Sequence, residues 1–230
     1  MTRLLACTAI AYAGTMSGAQ TMQLIGDNRS LLGYGSIETV DGYFDFGSTE
    51  VWPDYSYQDW NYGTGSGVDD ASGGSGMNSM LSDTAIVATG SASASTTFID
   101  GVHNFTTALG RSEHGISFRL TEETAFALTA TIDATGNAAS RITFRDLSNG
   151  GSDIFVATTQ GGVVNIDENF LLGPGDYSIV YYAASSLSLS SPGMLSGASS
   201  YDANFRIVPA APTAALLGLG GLLAVRRRRA

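Results

Sequence analysis

Alternation with a period of two runs through the middle of this 230-residue chain and commits it to a sheet. Phe126, Leu128, Ala130 and Ile132 alternate with Ala127, Thr129, Thr131 and Asp133. Successive side chains of an extended chain point to opposite faces, so this pattern writes one apolar face and one polar face. Ile116, Phe118 and Leu120 alternate with Ser117 and Arg119, and Ile142 and Phe144 with Arg141, Thr143 and Arg145. The same reading predicts strands over Ile37–Phe46, Ile86–Ile99, Ile154–Thr158, Val163–Ile166, Tyr177–Ala183 and Ala203–Val208. Turn chemistry separates them at Thr135-Gly136-Asn137, Asn149-Gly150-Gly151, Gly161-Gly162 and Gly173-Pro174-Gly175-Asp176. Asn-Gly is the strongest of these signals, because both residues tolerate the positive φ that a tight hairpin demands. Between Gln20 and Val208 no amphipathic helical stretch of ten residues is visible. Strands recurring every ~8–12 residues between Gly-rich turns predict an all-β fold, an antiparallel β-sandwich of jelly-roll-like kind spanning 20–207.

The stretch from about 50 to 83 breaks that rhythm and reads as a long loop on the sandwich. It opens with Trp52, Tyr55, Tyr57, Trp60 and Tyr62, then runs into a Gly/Ser-rich segment through Gly76. Exposed Trp and Tyr faces stack on sugar rings, which makes the five aromatics a candidate glycan-binding platform. Large aromatics are more often buried, so packing of the loop onto the sandwich is the preferred reading. Asp69 and Asp70 are the candidate calcium ligands. Gly73–Asn78 resembles one turn of the Gly-rich nonapeptide calcium repeat, but such repeats bind when stacked, and this is a single copy. The expectation is therefore no metal and no cofactor.

The two ends read as addresses. Arg3, the apolar run Leu4–Ala13 and small residues Ser17 and Ala19 before Gln20 make residues 1–19 a secretory signal helix, cut after Ala19. A buried N-terminal helix is the alternative. Cys7 lies inside that segment, so the mature chain would have neither thiol nor disulfide. At the other end, Val208-Pro209-Ala210-Ala211-Pro212 precedes an apolar stretch to Val225 and the block Arg226, Arg227, Arg228 and Arg229. The 16 residues from Ala210 to Val225 span about 24 Å as a helix, short of the ~30 Å hydrocarbon core. That length suits transient membrane insertion, with the Arg block held on the cytoplasmic side.

Proline break, apolar helix and cationic stop in this order resemble the PEP-CTERM sorting signal, over 208–230. The family's Pro-Glu-Pro is here Pro209-Ala-Ala-Pro212, lacking the Glu. The resemblance implies a Gram-negative-type bacterium, passage through the Sec export machinery, and an exosortase-like processing enzyme. It also implies residence at the cell envelope, cell surface or an exopolysaccharide-rich extracellular matrix (biofilm). An ordinary C-terminal anchor is the alternative on hydropathy.

Charge narrows the function classes. The chain has no Lys, and between the two ends 21 acidic residues face six Arg. Such a body repels phosphate backbones, which excludes nucleic acid as a partner. Lack of Lys removes Schiff-base chemistry and Walker-type phosphate sites. His103 and His114 are the only histidines, with no H-E-x-x-H or G-x-S-x-G motif, and read as surface or turn residues. The expectation is an exported structural protein without catalysis. A glycan-binding module is the alternative, and a secreted hydrolase ranks third.

Overall fold

The computed structural model describes residues 21–54, 59–68 and 70–209, and every regular element among them is a strand. In chain order these are β1 (Gln23–Thr39), β2 (Gly42–Asp54), β3 (Asp59–Val68), β4 (Ala71–Leu81), β5 (Ala85–Phe98) and β6 (His103–Leu120). They continue with β7 (Thr124–Gly136), β8 (Ala138–Asp146), β9 (Ser152–Thr159), β10 (Gly162–Leu172), β11 (Gly175–Leu189) and β12 (Gly193–Ile207). Two six-stranded antiparallel sheets result, ordered β2-β1-β6-β11-β8-β9 and β10-β7-β12-β5-β4-β3. The protein is an all-β antiparallel sandwich.

Its topology follows from nested pairing. β8 pairs with β9, β7 with β10, β6 with β11 and β5 with β12. The last eight strands are thus one long hairpin with its tip at β8–β9, rolled so that successive pairs fall in alternate sheets, as in a jelly roll. The first four strands enlarge this roll. The β1–β2 hairpin adds to β6, and the β3–β4 hairpin adds to β5. At the β8–β9 tip, Gly150 and Gly151 take φ of +73° and +77°. The Asp146 carboxylate accepts hydrogen bonds there from the backbone N–H groups of Ser148 (2.9 Å) and Asn149 (3.3 Å). A hairpin turn thus falls where the Asn-Gly signal put one, but it is the longer loop Leu147–Gly151, with positive φ at Gly150 and Gly151 and not at Asn149.

Several expectations are corrected. The stretch from 50 to 83 is not a long loop: apart from Asp70, Ser82 and Asp83, its described residues are the end of β2, all of β3 and all of β4. Glycine and serine pair here because their small side chains let the two sheets close tightly. A Cβ on Gly73 would run into the carbonyl oxygens of Leu109 and Tyr34 in the facing sheet, which leaves glycine as the fitting residue. The single strand expected over Ile37–Phe46 is a hairpin, broken by the turn at Val40-Asp41 between β1 and β2. The proposed signal helix, with Ser17, Ala19 and Gln20, lies outside the described residues. So does the apolar C-terminal helix, with Pro212 and Arg226–Arg229. Among the described residues no helix is long and apolar enough to cross a membrane.

The core changes character along the strands. At the end where β6 finishes and β7 begins, Phe118, Phe126, Phe144, Tyr177 and Phe205 pack as one aromatic cluster. Phe126 and Phe205 stack at 4.6 Å, and Phe144 meets Phe205 edge-on at 5.3 Å. Toward the opposite pole the inner face thins to Ala92, Ala94, Ala108, Gly110 and Ser185. A polar layer sits between the two halves.

Candidate functional site

That layer is built on β1 and β6, where Arg29 stands directly opposite His114 and Asp27 opposite Ile116. Asp27 and Arg29 are two residues apart on one strand and therefore share a face, here the inner one. Both are buried, and His114 is wholly so, at 0% exposure. Arg29 grips the Asp27 carboxylate with two donors, Nη2 to Oδ2 and Nε to Oδ1 at 3.1 Å. His114 Nε2 lies 2.9 Å from Asp27 Oδ1 and 3.3 Å from Arg29 Nε. A guanidinium only donates, so the shorter contact assigns the tautomer: Nε2–H donates to Asp27, and Nδ1 is a buried acceptor with no hydrogen-bond partner.

Electrostatics follow from the sealing. Burial holds the His114 imidazole below its ordinary value, outweighing the opposing pull of the Asp27 carboxylate. A neutral imidazole leaves one carboxylate and one guanidinium, a layer of zero net charge. Tyr181, opposite His114 on β11, has its ring 6.3 Å away and stacks on Tyr201 of the other sheet at 5.6 Å. Tyr201 shares a 3.2 Å hydrogen bond with Ser112. Burial pushes both phenols well above the usual tyrosine range. The Tyr201 ring occupies the space that a side chain at Gly90 would fill.

The histidines therefore are not surface or turn residues. His114 does converge with a carboxylate, but between sheets and not in a cleft. His103 opens β6 at 5% exposure. Its Nε2 lies 2.9 Å from Asp70 Oδ2, while Nδ1 accepts the Ile99 N–H at 3.4 Å. This contact clasps the β3–β4 turn to the β5–β6 turn. The inner side of β6 reads Thr106, Ala108, Gly110, Ser112 before it reaches Ile116, so too little apolar contrast marks these positions as a strand. Asp27 and Arg29 went unnoticed for a related reason, since charge on its own reads as surface. Their signal was the shared parity with Leu31, two residues further on.

The candidate calcium ligand Asp70 is thus engaged by His103, and Asp69 lies outside the described residues. Among the described residues no three His, Cys, Asp or Glu side chains group to hold a metal. Of the aromatic platform, Tyr55 and Tyr57 lie outside the described residues. Trp52 belongs to β2, with Arg29 as its register partner, while Trp60 and Tyr62 belong to β3, opposite Ser79 and Met77. All three register partners are buried. β2 and β3 are the outermost strands of the two sheets on the same side. Val208 and Pro209 follow β12 directly, and the Val208 N–H donates to the Ala125 carbonyl at 2.8 Å. Surface hollows lie on the outer faces. One of about 550 Å³ is lined by Ser91, Ser93, Asp133, Thr135 and Ser200, another of about 480 Å³ by Asn28, Ser30, Arg111, Glu113 and Ser178. Neither reaches the Asp27–Arg29–His114 layer.

No known protein family and no curated protein matches this chain. Solved structures offer remote likenesses. The enzymatically active domain of bacteriophage CBA120 tailspike protein 4 is 12% identical at a TM-score of 0.26, over 58% of this chain and 19% of that one. The infectious bursal disease virus Gx strain structure is 8% identical at 0.25, over 84% of this chain and 58% of that one. The VP2 subviral particle of the same virus is 10% identical at 0.20, over 91% and 75%. The chain thus spans about a fifth of the first of these and under two thirds of the second.

Proposed function

We propose that this chain is an exported structural protein of the bacterial cell surface or extracellular matrix, sorted through its C-terminal signal and performing no catalysis. The observation that carries the reading is the placement of the two ends of the sandwich. The Met22 N–H donates to the Asp83 carbonyl, and the Ile207 N–H to the carbonyl of the adjoining Thr84, each at 2.8 Å. Met22 and Ile207, the residues that adjoin the proposed signal and the proposed sorting tail, therefore sit side by side at the aromatic pole. A body held at a membrane by either end, or by both in turn, keeps one orientation and turns its other pole outward. The turns at Val40-Asp41 and Ile99–Val102 lie at that far pole. Consumption of the His114 imidazole by core packing supports a structural role over a hydrolytic one.

In this reading the Sec machinery recognises residues 1–19, and an exosortase-like enzyme acts on the tail marked by Val208, Pro209, Pro212 and Arg226–Arg229. Mass spectrometry of the protein recovered from its native envelope tests it: the mature chain begins near Gln20 and lacks the Arg block. Intact Met1–Ala230 would overturn it. The second reading, an exopolysaccharide-binding module, draws on the strand positions of Trp52, Trp60 and Tyr62, which place the three along one lateral side of the sandwich.

A further inference from the structure

Each sheet ends in two edge strands, β2 and β9 in one, β3 and β10 in the other. An unpaired edge is a template for another strand unless something blunts it. Three of these edges are blunted. β2 carries Asp45, Glu50, Pro53 and Asp54. β10 has Asp167 and Glu168 exposed at its middle. β3 alternates Gly63, Gly65 and Gly67, which offers a partner few side chains to pack against.

β9 is different. Its Asp153 is neutralised by Arg145 of its own sheet at 2.8 Å. From there Ile154–Thr159 reads Ile-Phe-Val-Ala-Thr-Thr, with no charge, Pro or Gly. β-Branched and aromatic residues dominate, the composition of strands that readily add to one another. Ile154 and Val156 stand on the outer face at 38% and 48% exposure, while Phe155 and Ala157 pack against the core. The one register irregularity of the β8–β9 pair falls at Phe144/Arg145, so the edge from Phe155 to Thr159 is regular.

We infer that β9 is where a second copy of this chain pairs, antiparallel, about a two-fold axis near Val156. Directly opposed residues of an antiparallel pair share a face, so the register must match parity. An axis at Val156 does so: it sets Val156 against its counterpart, Ile154 against Thr158 of the second copy, and Phe155 against Ala157 of the second copy. Asp153 lies before the register irregularity, outside the regular edge and turned outward with Arg145, so no carboxylate meets another across the axis. The equivalent pairing through β10 would gather Asp167 and Glu168 of both copies at the axis, where like charges repel. The preferred pairing joins two six-stranded sheets into one of twelve strands. A contact one strand long lies at or under the low end of the ~1,200 Å² that stable interfaces bury. Association is accordingly weak and grows with local concentration, as on a crowded surface.

The inference does not depend on the export reading and fails separately from it. Its test is sedimentation and amide exchange of the full chain in detergent, from about 10 μM to about 1 mM. The expected result is a monomer–dimer equilibrium, with amides of Phe155–Thr159 gaining protection as dimer forms. Val156→Lys, at an exposed site, abolishes the dimer while leaving circular dichroism unchanged, and Leu171→Lys on β10 does not. A chain that stays monomeric throughout overturns the inference. So does association that survives Val156→Lys, or protection that rises on β2, β3 or β10 instead, which would identify another contact.

Discussion

Acid should loosen this protein well before its carboxylates titrate, and one buried imidazole is the reason. His114 is sealed between sheets, facing Asp27 and Arg29 on β1 and Tyr181 on β11, whose ring stacks on Tyr201 of β12, itself hydrogen-bonded to Ser112. Asp27 and Arg29 already neutralise each other, so protonating His114 would leave a net positive charge in the core. Burial accordingly holds its folded-state pKa below the ordinary histidine value of about 6.5. A group whose folded pKa is depressed takes up its proton more readily when unfolded, so stability is present above the unfolded pKa and falls as pH drops below it. One proton corresponds to about 1.4 kcal/mol per pH unit. Between pH 7.5 and pH 5, with an unfolded value near 6.5, the loss reaches at most about 2 kcal/mol and ends once the folded pKa is passed. Ordinary carboxylates titrate lower, and the Arg119 guanidinium holds Asp176 lower still. Urea unfolding of the full chain at half-unit pH steps reads the slope directly. His114→Gln removes the buried imidazole and should flatten that slope. A wild-type midpoint that does not move between pH 7.5 and pH 5 would refute the reasoning.

Three other expectations follow from packing. Gly73→Ala forces a methyl group against the Leu109 and Tyr34 carbonyls, with backbone on both sides, and should cost at least ~1–3 kcal/mol in urea unfolding. Gly63→Ala, whose Cβ would sit 3.6 Å from the Ser75 carbonyl, should be neutral or gain up to ~1 kcal/mol. Trp52→Ala and Trp60→Ala should each cost on the order of 3–5 kcal/mol if these residues pack; a stable double variant that loses exopolysaccharide-induced Trp fluorescence change would favour the glycan module instead. Asp27→Leu with Arg29→Met should shift the unfolding midpoint little, yet lower amide protection along β1, and unchanged protection would argue against a register role for the pair.

What the sequence made legible was the aromatic half, together with the Ala/Ser-alternating strand Ile86–Ile99 that forms β5 and runs into the small-residue half. Phe126–Asp133, Ile142–Phe144 and Tyr177–Ala183 alternate large apolar with polar residues, and burial of large side chains is the signal that periodicity detects. β3 and β4 escaped because their inward positions include Ala71, Gly73 and Ser79, where cohesion comes from close approach of two backbones and not from side-chain hydrophobicity. The same contrast explains β6, legible from Ile116 onward and silent from His103 to Gly115. The polar layer was hidden for another reason. No local rule distinguishes Asp27 and Arg29 from surface charges until the pairing of β1 with β6 sets Arg29 opposite His114.

That pairing also explains why a charged layer persists at the waist of an otherwise apolar interior. A buried ion pair seldom adds net stability, because desolvating two charges costs about as much as their attraction returns. Its leverage lies in what it forbids. Below the layer, β1 turns Leu31, Gly33 and Gly35 inward, and glycine-rich strands specify register poorly, since a slip displaces few side chains. A one-residue slip of β1 on β6 would turn Asp27 and Arg29 to the outer face and leave the His114 Nε2–H without its carboxylate. A two-residue slip would keep the parity but set the guanidinium against Ser112 or Ile116 in place of His114. The one-residue slip, and the two-residue slip that sets Arg29 against Ile116 and Leu31 against His114, leave a buried donor unpaired, at ~1–3 kcal/mol or more; the slip toward Ser112 keeps Asp27 beside His114 and displaces the guanidinium alone. The hairpin β1–β2 carries no large aromatic in the described inner positions of β1 to oppose such a shift. The Asp27–Arg29–His114 contact is therefore the feature that fixes β1, and through it the whole N-terminal extension of that sheet, to the roll formed by β5–β12.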